Sequence, residues 1–210
     1  MNQDKRIVLG IDEAGRGSVI GPLVIGAVAL EKRKLHHLKR TGVKDSKKLS
    51  SKKRTVIARK LKKTTQFMTI IIPADKIDQL RNDGMNLNEI ETNSMKEIIK
   101  TINPDICYVD CIDVDEERFH DTLQEVNPEI KIITKHKADD LYDVVSAASI
   151  IAKVERDKQL AIIQNEYGSV GSGYPSDSKT IEYLKNIEDD NYPPIIRKTW
   201  KTFKHICNEK

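Results

Sequence analysis

Three stretches place carboxylates where an apolar run ends. Asp12 and Glu13 follow the run 7–11, and Asp110 closes Ile106-Cys107-Tyr108-Val109. Asp139 and Asp140 lie between the β-branched run 130–134 and the most apolar helix-like segment of the chain. Burial penalises an ionised carboxylate unless a cation sits beside it. If the strands that carry these acids are neighbours, the acids converge. Hard oxygen donors in that number suit Mg²⁺ or Mn²⁺, which leave much of their coordination sphere to water and phosphate. Any one of these acids taken alone reads as a helix N-cap or turn residue. All of them together, beside a basic segment, read as a metal site. One condition attaches. Neighbours on an extended strand point to opposite faces, so Asp12 and Glu13 share a site only if the chain turns there. Gly15 and Gly17 make such a turn feasible.

Charge is segregated along the 210 residues, although the net charge is only +4. Residues 31–63 carry fifteen Lys or Arg against two acids, whereas residues 73–129 carry fifteen acids against five Lys or Arg. A basic block in a near-neutral protein suits a phosphate-rich partner, or else a solvated helix face. No apolar run approaches the roughly 18 residues of a membrane span. No secretory signal precedes the first strand-like segment, so a cytoplasmic location is expected. Cys107, Cys111 and Cys207 lack CxxC spacing and read as three reduced thiols. The five histidines show no zinc-ligand spacing. Gly15-Arg16-Gly17 fits neither a P-loop nor a dinucleotide fingerprint, and no GxSxG occurs.

The elements that must position the acids follow from periodicity. Strands are expected at 6–11, 22–30, 66–72, 105–111 and 130–134. Helices are expected at 31–40, 51–63, 86–101, 115–126 and 143–166. The first half of the last helix, VVSAASIIAKV, is apolar or small on nearly every side and predicts a helix buried inside the domain. A glycine loop at 168–173 leads to Tyr174-Pro175, and helical stretches at 177–188 and 197–208 close the chain. This order predicts an α/β fold with a mixed sheet flanked by helices. No linker splits it, so residues 1–210 read as a single domain, with about 177–210 as a small helical C-terminal extension.

The run Gly10-Ile11-Asp12-Glu13-Ala14-Gly15-Arg16-Gly17, followed by Ile20-Gly21-Pro22-Leu23-Val24, resembles the signature of type 2 ribonucleases H, ribonuclease HII. The resemblance continues in order through Asp45-Ser46-Lys47-Lys48-Leu49, Tyr108-Val109-Asp110, Lys135-His136-Lys137-Ala138-Asp139-Asp140, 145–154 and Gly171-Ser172-Gly173-Tyr174-Pro175-Ser176-Asp177. It spans about residues 7–204, and the wording of the last blocks resembles the archaeal branch. The sister type, ribonuclease HIII, carries an additional N-terminal domain and lacks Arg in the triplet; this chain has Arg16 and no room for that domain. Ser18 stands where many relatives have Pro.

The resemblance implies an RNase H-like fold and an endonuclease acting on RNA–DNA hybrids and on ribonucleotides embedded in duplex DNA. It implies a divalent metal, Mg²⁺ or Mn²⁺, held by Asp12, Glu13, Asp110 and Asp139. Asp139 rather than Asp140 matches, because it keeps the family's seven-residue spacing to Ser146. Gly15, Arg16 and Gly17 match the triplet that reads the 2′-OH at the cleavage junction. Tyr174 matches the tyrosine that packs on the neighbouring sugar, and Lys47 a phosphate-contacting lysine. A monomer is expected. The tail 201–210 has Phe203 but no Gln-led aromatic pair, so no clear sliding-clamp motif is present. Two other readings compete: a junction resolvase or strand-transfer core, which shares clustered acids but not the triplet, and a non-enzymatic nucleic-acid-binding module. Dependence of cleavage on a ribonucleotide separates the first, and metal-dependent turnover the second.

Overall fold

The computed structural model describes residues 4–43, 49–187 and 192–208. Five strands form one mixed sheet: β1 (Ile7–Ala14), β2 (Leu23–Glu31), β3 (Gln66–Ile72), β4 (Ile106–Asp110) and β5 (Lys131–Lys135). Their order is β3-β2-β1-β4-β5. β1 pairs antiparallel with β2, and β2 with β3, while β4 runs parallel to both β1 and β5. The helices are α1 (Leu35–Thr41), α2 (Ser51–Thr64), α3 (Ala74–Asn82), α4 (Leu87–Ile102), α5 (Glu116–Gln124), α6 (Ala138–Leu141), α7 (Asp143–Tyr167), α8 (Ser178–Lys185) and α9 (Lys201–Asn208). Among the described residues no helix is long and apolar enough to cross a membrane.

The central strands are buried on both faces, and alternation sorts their side chains into two cores. Leu9, Ile11, Ile25 and Ala27 face α3, α4 and α5, whereas Val8, Val28 and Leu30 face α1, α2 and α7. α7 lies very close to the sheet. A Cβ on Gly10 would sit 2.4 Å from the Val144 carbonyl oxygen, and one on Gly26 2.7 Å from that of Ala148. Glycine on the strands and Ser, Ala and Ile on the helix let the two backbones approach. Residues 144–152 of α7 are buried without a break, as the all-round apolar pattern predicted. A third cluster joins Val19, Ile20 and Leu160 to Leu184, Ile195, Phe203 and Ile206, so α8 and α9 pack on the loop that follows β1.

Three expectations are corrected. β1 does not end at residue 11 but continues through Asp12 and Glu13 to Ala14, paired with Val24–Gly26 of β2. The expected helix at 31–40 begins as strand and a 3₁₀ turn, and α1 starts only at Leu35. The last helix begins at Lys201 rather than 197, because the preceding amides are engaged elsewhere: Arg197 N–H donates to the Val19 carbonyl, and the Lys198 and Thr199 N–H groups donate to Asp78. α3, which supplies Asp78, and the one-turn α6 had no counterpart in the sequence reading. Cys107 and Cys111 are free and buried; the Cys207 side chain lies outside the described residues.

Candidate active site

β1 and β4 are parallel neighbours in register, with Ile11 opposite Val109. The next residue on each strand is an acid, Asp12 and Asp110, so the sheet delivers both to the same end. Glu13 joins them although the strand does not turn: one carboxylate oxygen from each of Asp12, Glu13 and Asp110 lies within 4.8 Å of the others. Asp12 accepts the Glu13 backbone N–H at 2.8 Å. Asp110 accepts the Ala138 N–H at 2.6 Å, which fixes the first turn of α6. Asp139 is the next residue and is buried, but it is not within that 4.8 Å group.

Three carboxylates this close repel one another, and burial adds to the cost of charge. Burial, then the charge of Glu13, pushes the Asp12 carboxyl well above the usual carboxylate range; a hydrogen bond from Ser149 and the charge of Lys153 oppose this. Lys153 in turn donates to the Ser149 hydroxyl at 2.7 Å. Burial raises Glu13 to about 7, with Glu91 and Asp110 adding repulsion. One buried Glu13 oxygen accepts no hydrogen bond from the described residues. An orphaned carboxylate oxygen inside an all-oxygen donor set fits a hard divalent cation such as Mg²⁺ or Mn²⁺.

A cleft of about 340 Å³ opens beside the acids, lined by Glu13, the loop Gly15–Gly17, Arg54, Lys153, Arg156 and Tyr174. The structure therefore brings the triplet and the tyrosine to one cavity with Glu13. Gly15 adopts φ +86°, and a Cβ there would lie 2.4 Å from the Arg156 side chain. Arg156 lies under the Tyr174 ring at 4.7 Å and donates to the Ser172 carbonyl, joining both glycine loops. The Gly173 carbonyl accepts the Val19 and Ile20 N–H groups. The Arg16 side chain is anchored on α4 while staying partly exposed: it donates to Glu91 at 2.8 Å and to Asn88. Gly15 and Gly17, which have no side chain, line the cleft with backbone. Lys47 lies outside the described residues.

Four contributors escaped the sequence reading: Glu91, Arg156, Lys153 and Arg197. Glu91 is fully buried on α4, and burial raises its carboxyl to about 7 against the opposing pull of Arg16. Its signal was available, because an acid at the inward position between Leu87 and Met95 breaks an otherwise apolar stripe. Arg197 had no such signal. It is fully buried, and its acceptors are carbonyls of the Gly15–Gly21 segment.

Carboxylates at the ends of adjacent parallel strands, on a mixed five-stranded sheet flanked by helices, define an enzyme of the RNase H-like class. Residues 9–203 match the family model for ribonuclease HII. The chain is 66% identical over 203 residues to the ribonuclease HII of Methanosphaera stadtmanae, covering 97% of this chain and 96% of that one. The ribonuclease H2 crystal structure from Pyrococcus horikoshii superposes with a TM-score of 0.90 at 39% identity, covering 97% of this chain and 98% of that one. The Archaeoglobus fulgidus ribonuclease HII, solved in complex with PCNA, gives 0.87 at 40% identity, covering 93% and 95%. The chain belongs to the ribonuclease HII family and is an endoribonuclease H, an enzyme that hydrolyses the RNA strand of RNA–DNA hybrids.

Proposed function

We propose that this enzyme also cuts duplex DNA on the 5′ side of an embedded ribonucleotide, leaving the ribonucleotide on the 5′-phosphorylated product. The observation that carries this reading is the shared cleft: Glu13 of the acid cluster and the backbone of Gly15–Gly17 line the same cavity. A ribose read by that loop lies within a few residues' reach of the acids. The 2′-OH is the group that separates RNA from DNA at a given site. Tyr174 lines the same cleft and packs on the adjacent deoxyribose, which sets the register.

Asp12, Glu13, Asp110 and Asp139 would hold the metal, Mg²⁺ or Mn²⁺. When bound, divalent ions favour formation of the nucleophile and neutralise charge that builds on the leaving oxygen. The chain's own residues do the remaining work. Ser149 and Lys153 hold Asp12 in place from α7, and the Ala138 N–H holds Asp110. Arg156 supports the Tyr174 ring from beneath. Lys47 contacts a substrate phosphate, and the basic residues of α2 add positive charge of their own. The protein works as a monomer on hybrid or ribonucleotide-containing duplex.

The test is a DNA duplex bearing one ribonucleotide, with an all-DNA control, with and without Mg²⁺ or Mn²⁺. Cutting confined to the 5′ side of the ribonucleotide, and only with metal, is expected. Equal cutting of the all-DNA duplex would favour a resolvase-like nuclease instead.

A further inference from the structure

The Gly15–Gly17 loop has no regular secondary structure to hold it, yet the reading above requires it to present its backbone accurately. Part of its support is local, since the Ser18 N–H and hydroxyl donate to the Gly15 carbonyl at 3.3 and 2.8 Å; the rest comes from the far end of the chain. The fully buried Arg197 donates through Nε to the Gly21 carbonyl at 3.0 Å, and through its two terminal nitrogens to the carbonyls of Arg16 at 3.0 Å and Gly15 at 2.8 Å. Its own N–H donates to the Val19 carbonyl at 2.9 Å. All its side-chain hydrogen bonds thus run to main-chain oxygens of one segment. The guanidinium also lies 4.8 Å from the Trp200 ring. A planar fork of five donors can bridge three carbonyls at once, which an ammonium on a flexible stem cannot.

The orientation of those carbonyls determines what the loop shows to the cleft. In a trans peptide the C=O and the N–H point in opposite directions. The Gly15 carbonyl belongs to the peptide that carries the Arg16 N–H, and the Arg16 carbonyl to the one that carries the Gly17 N–H. Drawing both oxygens inward onto Arg197 turns both N–H groups the other way. Neither donates a hydrogen bond within the described residues.

We infer that Arg197 is a positioning residue: by gathering the carbonyls of Gly15, Arg16 and Gly21 it turns the Arg16 and Gly17 amides toward the cleft, and so sets the preference for a ribonucleotide. This rests on the proposed function. It also makes the C-terminal segment part of the site's construction. Burial lowers the guanidinium to about 9, so it stays charged at neutral pH.

The experiment compares wild type with Arg197→Lys. Both are titrated with a fluorescent one-ribonucleotide duplex and its all-DNA counterpart, with Ca²⁺ replacing Mg²⁺ to prevent cutting. The ratio of the two affinities is independent of the fraction of active protein, so a simple loss of stability does not move it. Wild type should favour the ribonucleotide duplex by about tenfold, and the variant by no more than about twofold. Mn²⁺ uptake should be unchanged, showing intact acids. A folded variant that keeps the full preference overturns the inference. Should the variant not fold, the ¹⁵N resonances of Arg16 and Gly17 in wild type decide: shifts with the ribonucleotide duplex but not the all-DNA duplex support the inference, and the absence of that difference overturns it. Wild type that shows no ribonucleotide preference in binding or cutting overturns the proposed function itself, a result distinct from either variant outcome.

Discussion

The floor and the wall of the cleft are built by opposite means. The floor is three carboxylates on β1 and β4, placed by hydrogen-bonded register and left with excess negative charge. The wall is the Gly15–Gly17 loop and Tyr174, braced by two buried arginines: Arg197 on the Gly15 and Arg16 carbonyls and Arg156 on the Ser172 carbonyl. The floor is rigid and electrostatically unsatisfied, a state that a divalent cation relieves. The wall is braced from behind, leaves the Arg16 and Gly17 N–H groups without a partner among the described residues, and adds a ring. A sheet suits the first task, because adjacent strands cannot slide without flipping their side chains to the other face. Loops suit the second, because close contact with a sugar needs backbone without intervening side chains.

The largest expected effect is on the floor. Asp110→Asn should reduce turnover on a hybrid by on the order of 1000-fold, while leaving preferential binding to a ribonucleotide duplex in place. It should also raise the melting temperature of the metal-free enzyme, since one of three repelling charges is gone. Loss of the binding preference along with activity would break the division between floor and wall.

A wall change comes next. Tyr174→Ala should slow cutting of a one-ribonucleotide duplex by roughly 10- to 100-fold, with Mn²⁺ affinity unchanged, and Tyr174→Phe should stay near wild type. Equal rates for Ala and wild type would remove the ring from the junction.

The pH dependence of the metal-free protein sharpens the contrast further. Glu13 and Glu91 are both raised to about 7 from 4.5, chiefly by burial. Between those values the folded state holds protons that the unfolded chain has released, so this contribution to stability is full below about 4.5, declines as pH rises, and is gone above about 7. Urea melts across that window should show the decline, and Glu91→Gln should lessen it. A stability that rises through the window would contradict the buried-acid account.

The smallest effect belongs to neither region. Lys47→Ala should reduce the salt dependence of hybrid binding by about one unit in the log–log slope. An unchanged slope would place Lys47 off the substrate path.

The floor was legible in the sequence because strand-ending acids contradict their apolar surroundings, and a contradiction is visible without a structure. Even so, the condition that Asp12 and Glu13 share a site only if the chain turns there did not hold, since β1 carries both acids on a continuous strand. The buried helix α7 was legible for the same reason as the strands, an uninterrupted apolar and small pattern. The wall was only partly legible. Its glycines stand out, but Arg197 does not, because a side chain that bonds to carbonyls needs no complementary residue type elsewhere. α3 went unseen because it is short and its inward Asp78 serves backbone amides rather than a core.

The distance along the chain between Arg197 and its acceptors has a consequence for how the enzyme is made. Those hydrogen bonds join residues 176 to 182 positions apart. Synthesis proceeds from the N-terminus at roughly 5–20 residues per second, and early segments can fold before later ones emerge. All four acids are translated well before Arg197, so the sheet and its carboxylates can assemble while the loop still lacks its anchor. A nuclease emerging from a ribosome is surrounded by RNA. If Arg197 sets the loop as inferred, a nascent chain that has emerged only as far as Asp139 carries its acids without the residue that orients its reading loop.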